Sequence, residues 1–150
     1  MKKEELQLKE EKKGRFYGYG KVTPEIEELF DDFLHVWGRD TCSPRMRDRW
    51  TEENPTLGQC SITAFAVQDL LGGRVYGIPL KEGGVHCYNE IDGMVFDLAS
   101  EQFGDQVLNY EGNREQFREE QLADDEKRGR YELPKLRLEN YRSYKYRDAH

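Results

Sequence analysis

Little in this sequence could staple or anchor a chain. There are three cysteines in 150 residues, at positions 42, 60 and 87, with no Cys-x-x-Cys pair among them. Neither a disulfide scaffold nor a zinc finger is expected from that usage. A reduced, cytoplasmic setting is the default. No apolar run approaches the ~20 residues that span a bilayer, so no membrane partner is expected. The opening Met1-Lys2-Lys3-Glu4-Glu5 runs straight into more charge and offers none of the apolar stretch of a secretory signal. Internal repeats are absent too.

Basic residues are not in excess. The formal net charge is −7, and it is unevenly placed. Residues 16–110 hold seven basic against sixteen acidic groups, whereas residues 111–150 hold ten of each. An acidic centre argues against nucleic acid as a partner, because phosphate binding needs clustered Lys and Arg. It is compatible with a cationic or neutral substrate. Charged residues make up 35% of the chain and hydrophobic residues 36%. That suits one compact core with charged flanks, in a chain long enough for one domain. Residues 1–15 have only Leu6 and Leu8 as apolar side chains after Met1 and read as a charged tail. Residues 16–150 read as a single domain.

From Thr23 the pattern becomes ordered. Thr23 and Pro24 open a helix as N-cap and first residue, with acids in its first turns. Ile26, Leu29, Phe30, Phe33, Leu34 and Trp37 make one apolar face that ends at Gly38. After an irregular stretch, Cys60 to Leu71 is small and apolar and reads as a buried helix stopped by Gly72-Gly73. Three short strands follow, at about 74–80, 85–91 and 94–98, with turns at Gly83-Gly84 and Asp92-Gly93. Asn113 and Gln116 form a plausible capping box for a helix to about Lys127. A Tyr-rich segment runs on from Leu133 to Tyr146. The class is α+β.

The chemistry concentrates between Gly58 and Phe103. Cys60 stands where a loop becomes a helix, and unpaired N–H groups at a helix start favour a thiolate. A small Cys opening a core helix is the plainer reading of that position alone. His86 and Asp97 change the balance. If Asp92-Gly93 is a two-residue type I′ turn, Ile91 pairs with Met94, and Asp97 falls opposite Tyr88, diagonal to His86. A carboxylate then orients an imidazole, as a nucleophilic triad requires. The Cys60 backbone N–H is one candidate oxyanion donor, and Gln59, Asn54 or the Trp50 indole could supply another. Gly58 would admit close backbone approach, and Gln102 could hydrogen-bond near the triad. His86 and Cys87 are consecutive in a strand and should face opposite ways, leaving Cys87 in the core and no metal site. No cofactor is implied.

The stretch Asn54-Pro55-Thr56-Leu57-Gly58-Gln59-Cys60, with Val67-Gln68-Asp69, Gly72-Gly73, His86, Asn89 and Asp97-Leu98-Ala99-Ser100-Glu101-Gln102-Phe103, resembles the YunG-like family of uncharacterised bacterial proteins. A looser likeness extends to Arg130-Tyr131-Glu132-Leu133. The charged N-terminal extension departs from that pattern, as does Pro134, which should break the helical run after Leu133. In the order Cys, His, Asp, the chain is also similar to the transglutaminase-like branch of the papain-like superfamily. The resemblance implies a papain-like (transglutaminase-like or NlpC-like) core. In it a nucleophile helix packs on a small antiparallel sheet between flanking N- and C-terminal helices. It implies acyl chemistry at Cys60, with His86 as base and Asp97 as orienter. Two functions are then expected to compete. One is a thiol hydrolase or acyltransferase acting on a small-molecule, peptide or protein amide, isopeptide or thioester. The other is a catalytically silent adaptor or inhibitor that binds a protein partner.

Overall fold

The computed structural model describes residues 16–148, so the proposed 1–15 tail lies outside the described residues. Helix α1 spans Pro24–Phe33, with the Thr23 hydroxyl accepting a hydrogen bond from the Ile26 N–H at 3.4 Å. Two 3-10 segments, Arg39–Thr41 and Pro44–Arg49, carry the chain to helix α2, Cys60–Leu71. Strands β1 (Arg74–Pro79), β2 (Val85–Ile91) and β3 (Met94–Phe96) form an antiparallel meander. A fourth strand, β4 (Arg114–Gln116), pairs with β1, giving the order β3-β2-β1-β4. The short α3 (Arg118–Gln121) and the long α4 (Asp125–Asp148) complete the α+β architecture.

The β2–β3 register has Ile91 opposite Met94 and Asn89 opposite Phe96. Asp92 and Gly93 both take positive φ, 50° and 83°, as a type I′ turn demands. This register sets the site, because a one-residue slip would turn every side chain to the other face. Past Phe96 the strand ends and Asp97 bridges to Tyr17 instead. The segment 16–19 therefore closes the sheet edge beside Asp97, and its Phe16 is fully buried.

Two elements differ from the sequence expectation. Residues 114–116 are a strand rather than the start of a helix: β1 presents an open edge, and pairing there satisfies more backbone than a helical turn would. Helix α4 also runs through Pro134. Its length of 24 residues and its packing on α1, α2 and the Arg39–Thr41 turn compensate for the missing N–H. Lys145 on α4 reaches the buried Asp32 (2.6 Å) and Glu28 (2.7 Å) of α1.

Helix α2 packs across β2, and its middle is buried from Ser61 to Val67. Buried Asn89 of β2 donates to the Ala64 carbonyl at 2.9 Å and pins helix to strand. Asn89→Ala leaves a cavity and breaks this bond. A loss of about 1–3 kcal/mol is expected in urea unfolding, against near neutrality if the bond is dispensable.

Candidate functional site

Cys60 opens α2, and its helix has no acidic residue in the first turn to offset the positive dipole end. The first-turn N–H groups have no i−4 carbonyl to bind. The Cys60 thiol is half-buried, whereas those of Cys42 and Cys87 are buried. Its sulfur lies 4.0 Å from the Val85 carbonyl oxygen, level with the backbone of β2. His86 and Cys87, consecutive residues of that strand, both act on the ionisation of the Cys60 thiol. Alternation along the strand predicts only the first of these influences. The expectation that Cys87 is a core residue is met, yet its thiol also belongs to the site.

Both members of the His86–Asp97 pair are 1% exposed, and Nε2 of the ring lies 2.6 Å from Asp97 Oδ2. Nδ1 is the ring nitrogen that the carboxylate does not engage. The carboxylate is held from every side. Its Oδ1 accepts from the Ala99 N–H at 3.1 Å, and Oδ2 also accepts from the Tyr110 hydroxyl at 2.8 Å. Tyr110 is clamped between Tyr17, stacked at 4.0 Å, and Tyr88, edge-on at 4.9 Å. Phe103 meets the His86 ring edge-on at 4.6 Å. Tyr110, Ala99 and Phe103 were not legible as site residues. Tyr110 lies in an irregular segment 13 residues past Asp97 with no periodic signal to place it.

The charges follow from this packing. The Cys60 thiol sits well below its ordinary range, chiefly because the Cys87 thiol hydrogen-bonds to it. Burial opposes that shift, and the neighbouring His86 charge assists it. Cys87, the donor in that pair, is pushed up correspondingly. Burial lowers the His86 value, but Asp97 and Cys60 outweigh burial and raise it to about 10. Burial and the adjacent Asp97 charge raise Tyr110, so its hydroxyl stays a donor. The shifts of Cys60 and His86 both run in the direction of a thiolate paired with an imidazolium.

The remaining sequence candidates divide. Gly58 and Gln102 line a cavity of about 860 Å³ together with Cys60 and His86. Gln102 bridges the two halves of the site: Oε1 accepts from the Gly58 N–H at 3.3 Å, and Nε2 donates to the Ala99 carbonyl at 2.8 Å. Gln59, Asn54 and Trp50 do not line that cavity. Gln59 is fully buried, accepting from the Thr41 hydroxyl at 2.8 Å and donating to the Gly38 carbonyl at 3.0 Å. The Trp50 indole donates to the Pro55 carbonyl at 3.0 Å, and the Asn54 backbone closes turns at both ends. The bonds of these three help build the loop before Cys60. Helix α4 secures the same loop, with buried Arg130 donating to the Thr41 and Gly58 carbonyls at 3.2 and 3.5 Å.

Among the described residues no group of three His, Cys, Asp or Glu side chains forms a metal-binding cluster. No helix among them is long and apolar enough to cross a membrane.

Comparison with known proteins gives a specific result. The chain is 43% identical over 67 residues to a Bacillus subtilis (strain 168) protein titled "Uncharacterized protein YunG". That match covers 45% of this chain and spans about half, 53%, of the relative's length. No solved structure matches. The family model described as YunG protein matches residues 25–143, from the first turn of α1 well into α4, and the chain therefore belongs to the YunG family.

Proposed function

We propose that this protein is a thiol hydrolase or acyltransferase with Cys60 as nucleophile, His86 as base and Asp97 as orienter, on a papain-like core. One observation carries the reading: a half-buried thiol at a helix start lines the same cavity as a histidine whose Nε2 is bound to a buried carboxylate.

In the reaction, the Cys60 thiolate attacks the carbonyl carbon of an amide, isopeptide or thioester, forming a C–S bond. The carbonyl electron pair moves to oxygen, and the first-turn N–H groups of α2 stabilise it. As the tetrahedral adduct collapses, the imidazolium Nδ1–H of His86 gives its proton to the departing amine or thiol. Neutral His86 then takes a proton from water or an acceptor amine, which attacks the thioester and releases Cys60. Asp97 keeps Nε2–H bound throughout and the ring in place.

One observation favours the silent binding protein instead. Gln59 and Trp50, the side chains expected to offer a second oxyanion donor, are both committed within the loop. The two readings part in a trapping experiment. Incubation with an activated acyl thioester, followed by intact mass and peptide analysis, should find the acyl mass on Cys60 in the native chain and none in Cys60→Ser. Absence of acylation at Cys60 across aliphatic and aminoacyl thioesters would leave the binding protein standing.

A further inference from the structure

We propose that the cavity beside Cys60 takes an acyl substrate bearing a carboxylate, so that the protein acts on acidic amides or thioesters. The inference rests on the preceding reading of that cavity as the substrate side of the thiol.

The argument is one of charge against background. The chain as a whole carries −7, yet the cavity is lined by Arg45, Lys81, Lys127 and Arg130 against a single acid, Glu82. These cations arrive from separate places: the second 3-10 segment, the β1–β2 turn, and α4. Arg130 is already occupied, with Glu126 at 3.2 Å and two loop carbonyls. Among the described residues the other three make no ion pair. Arg45 and Lys81 are exposed, and the Lys127 ammonium donates only to the neutral Gln121 Oε1 at 2.9 Å. The charge of Lys127 is felt at Cys87, inside the site.

Solvated surface lysines are ordinary. Three cations without ion pairs, drawn from three elements to one concave surface of an acidic protein, are not, because walls of low dielectric focus their field into the cavity. Ile78, Phe103 and Leu108 supply apolar lining to the same cavity. The fitting ligand is a short acid with an apolar reach, its scissile carbonyl at Cys60 and its carboxylate toward Lys81 and Lys127.

The test uses the full chain carrying Cys60→Ser, titrated by heteronuclear NMR with three blocked amino-acid amides differing only in side chain: N-acetyl-glutamate, N-acetyl-glutamine and N-acetyl-lysine amides. The glutamate compound should bind at least about fivefold more tightly than the glutamine one, with shifts around Phe103 and Leu108. Raising the salt should weaken that preference, and adding Lys81→Glu and Lys127→Glu should abolish it while the spectrum stays folded. Equal binding of the three compounds, no binding of the glutamate compound, or a preference untouched by charge reversal would overturn the proposal. Iodoacetate and iodoacetamide on the native chain keep its failure separate from that of the thiol chemistry. Slow labelling by both, with the glutamate preference intact, would retire acyl transfer and support an anion-binding cavity.

Discussion

Replacing His86 with alanine is expected to slow iodoacetamide labelling of Cys60 at pH 6–7 by about tenfold. An ordinary thiol, with a pKa near ~8.5, is only about 1% ionised at pH 6.5. A thiolate held in an ion pair is almost fully ionised there, which would be worth roughly a hundredfold. Its intrinsic nucleophilicity falls as its pKa falls, and that takes back part of the gain. The Cys87 hydrogen bond survives the substitution and retains another part. Asp97→Asn should cost less than His86→Ala, because the ring remains while its orientation and charge are weakened. In the native chain Cys60 should outpace both Cys42, raised by burial, and Cys87, raised by donating to Cys60.

The pH profile carries the sign. Because the thiol is lowered and His86 raised to about 10, the Cys60 rate should rise far less than tenfold per pH unit as the pH approaches about 9. It should fall only when acid protonates the thiolate. An unassisted thiol would instead gain close to tenfold per pH unit up to about 8.5. Peptide mass spectrometry of one preparation reads all three cysteines. Equal, slow rates that ignore His86 would remove the nucleophile.

The second large effect is on stability. Gly58→Ala is expected to cost about 2–4 kcal/mol, combining a left-handed backbone with a steric clash. Gly58 has φ +71°, and a Cβ there would lie 2.6 Å from Cys42 Sγ and 2.9 Å from the Ser43 backbone nitrogen. Backbone cannot yield as a side-chain tip can. The Gly58 carbonyl also accepts from Ser43 and Arg130, and its N–H donates to Gln102, so a shifted loop would disturb the approach to Cys60. Urea unfolding should show the midpoint drop, and Cys60 labelling should slow in the folded variant. A variant within about 0.5 kcal/mol of the native chain would show that the loop is slack rather than tightly set.

Local rules were enough for much of this. The Asp92-Gly93 turn has few conformations open to it, and the resulting register alone places Asp97 beside His86. Helix α2 was legible at both ends, from the small apolar run and the Gly72-Gly73 stop. What stayed hidden depends on distant partners. Residues 114–116 are polar and lack strand alternation, and only the open edge of β1 makes them a strand. Pro134 disfavours a helix locally, and packing overrides it. Gln59 and Trp50 looked like donors awaiting a substrate because nothing nearby in sequence shows that Thr41, Gly38 and Pro55 already claim them. The influence of Cys87 on Cys60 is hidden for a related reason: alternation describes neighbours along a strand, not a side chain arriving from the start of a helix.

The anchoring of the Cys60 loop by Arg130 has a consequence for how the molecule folds. The two bonds join positions 89 and 72 residues apart, whereas the β2–β3 hairpin closes over a two-residue turn. Contacts of such long separation carry the larger loop-closure cost and slow folding. The hairpin that pairs His86 with Asp97 can form early, while the loop leading into Cys60 stays unfastened until α4 docks. During collapse the chain would therefore expose an ordinary, mostly protonated thiol. On the proposed function, the lowered thiol would appear only once those long-range contacts have formed.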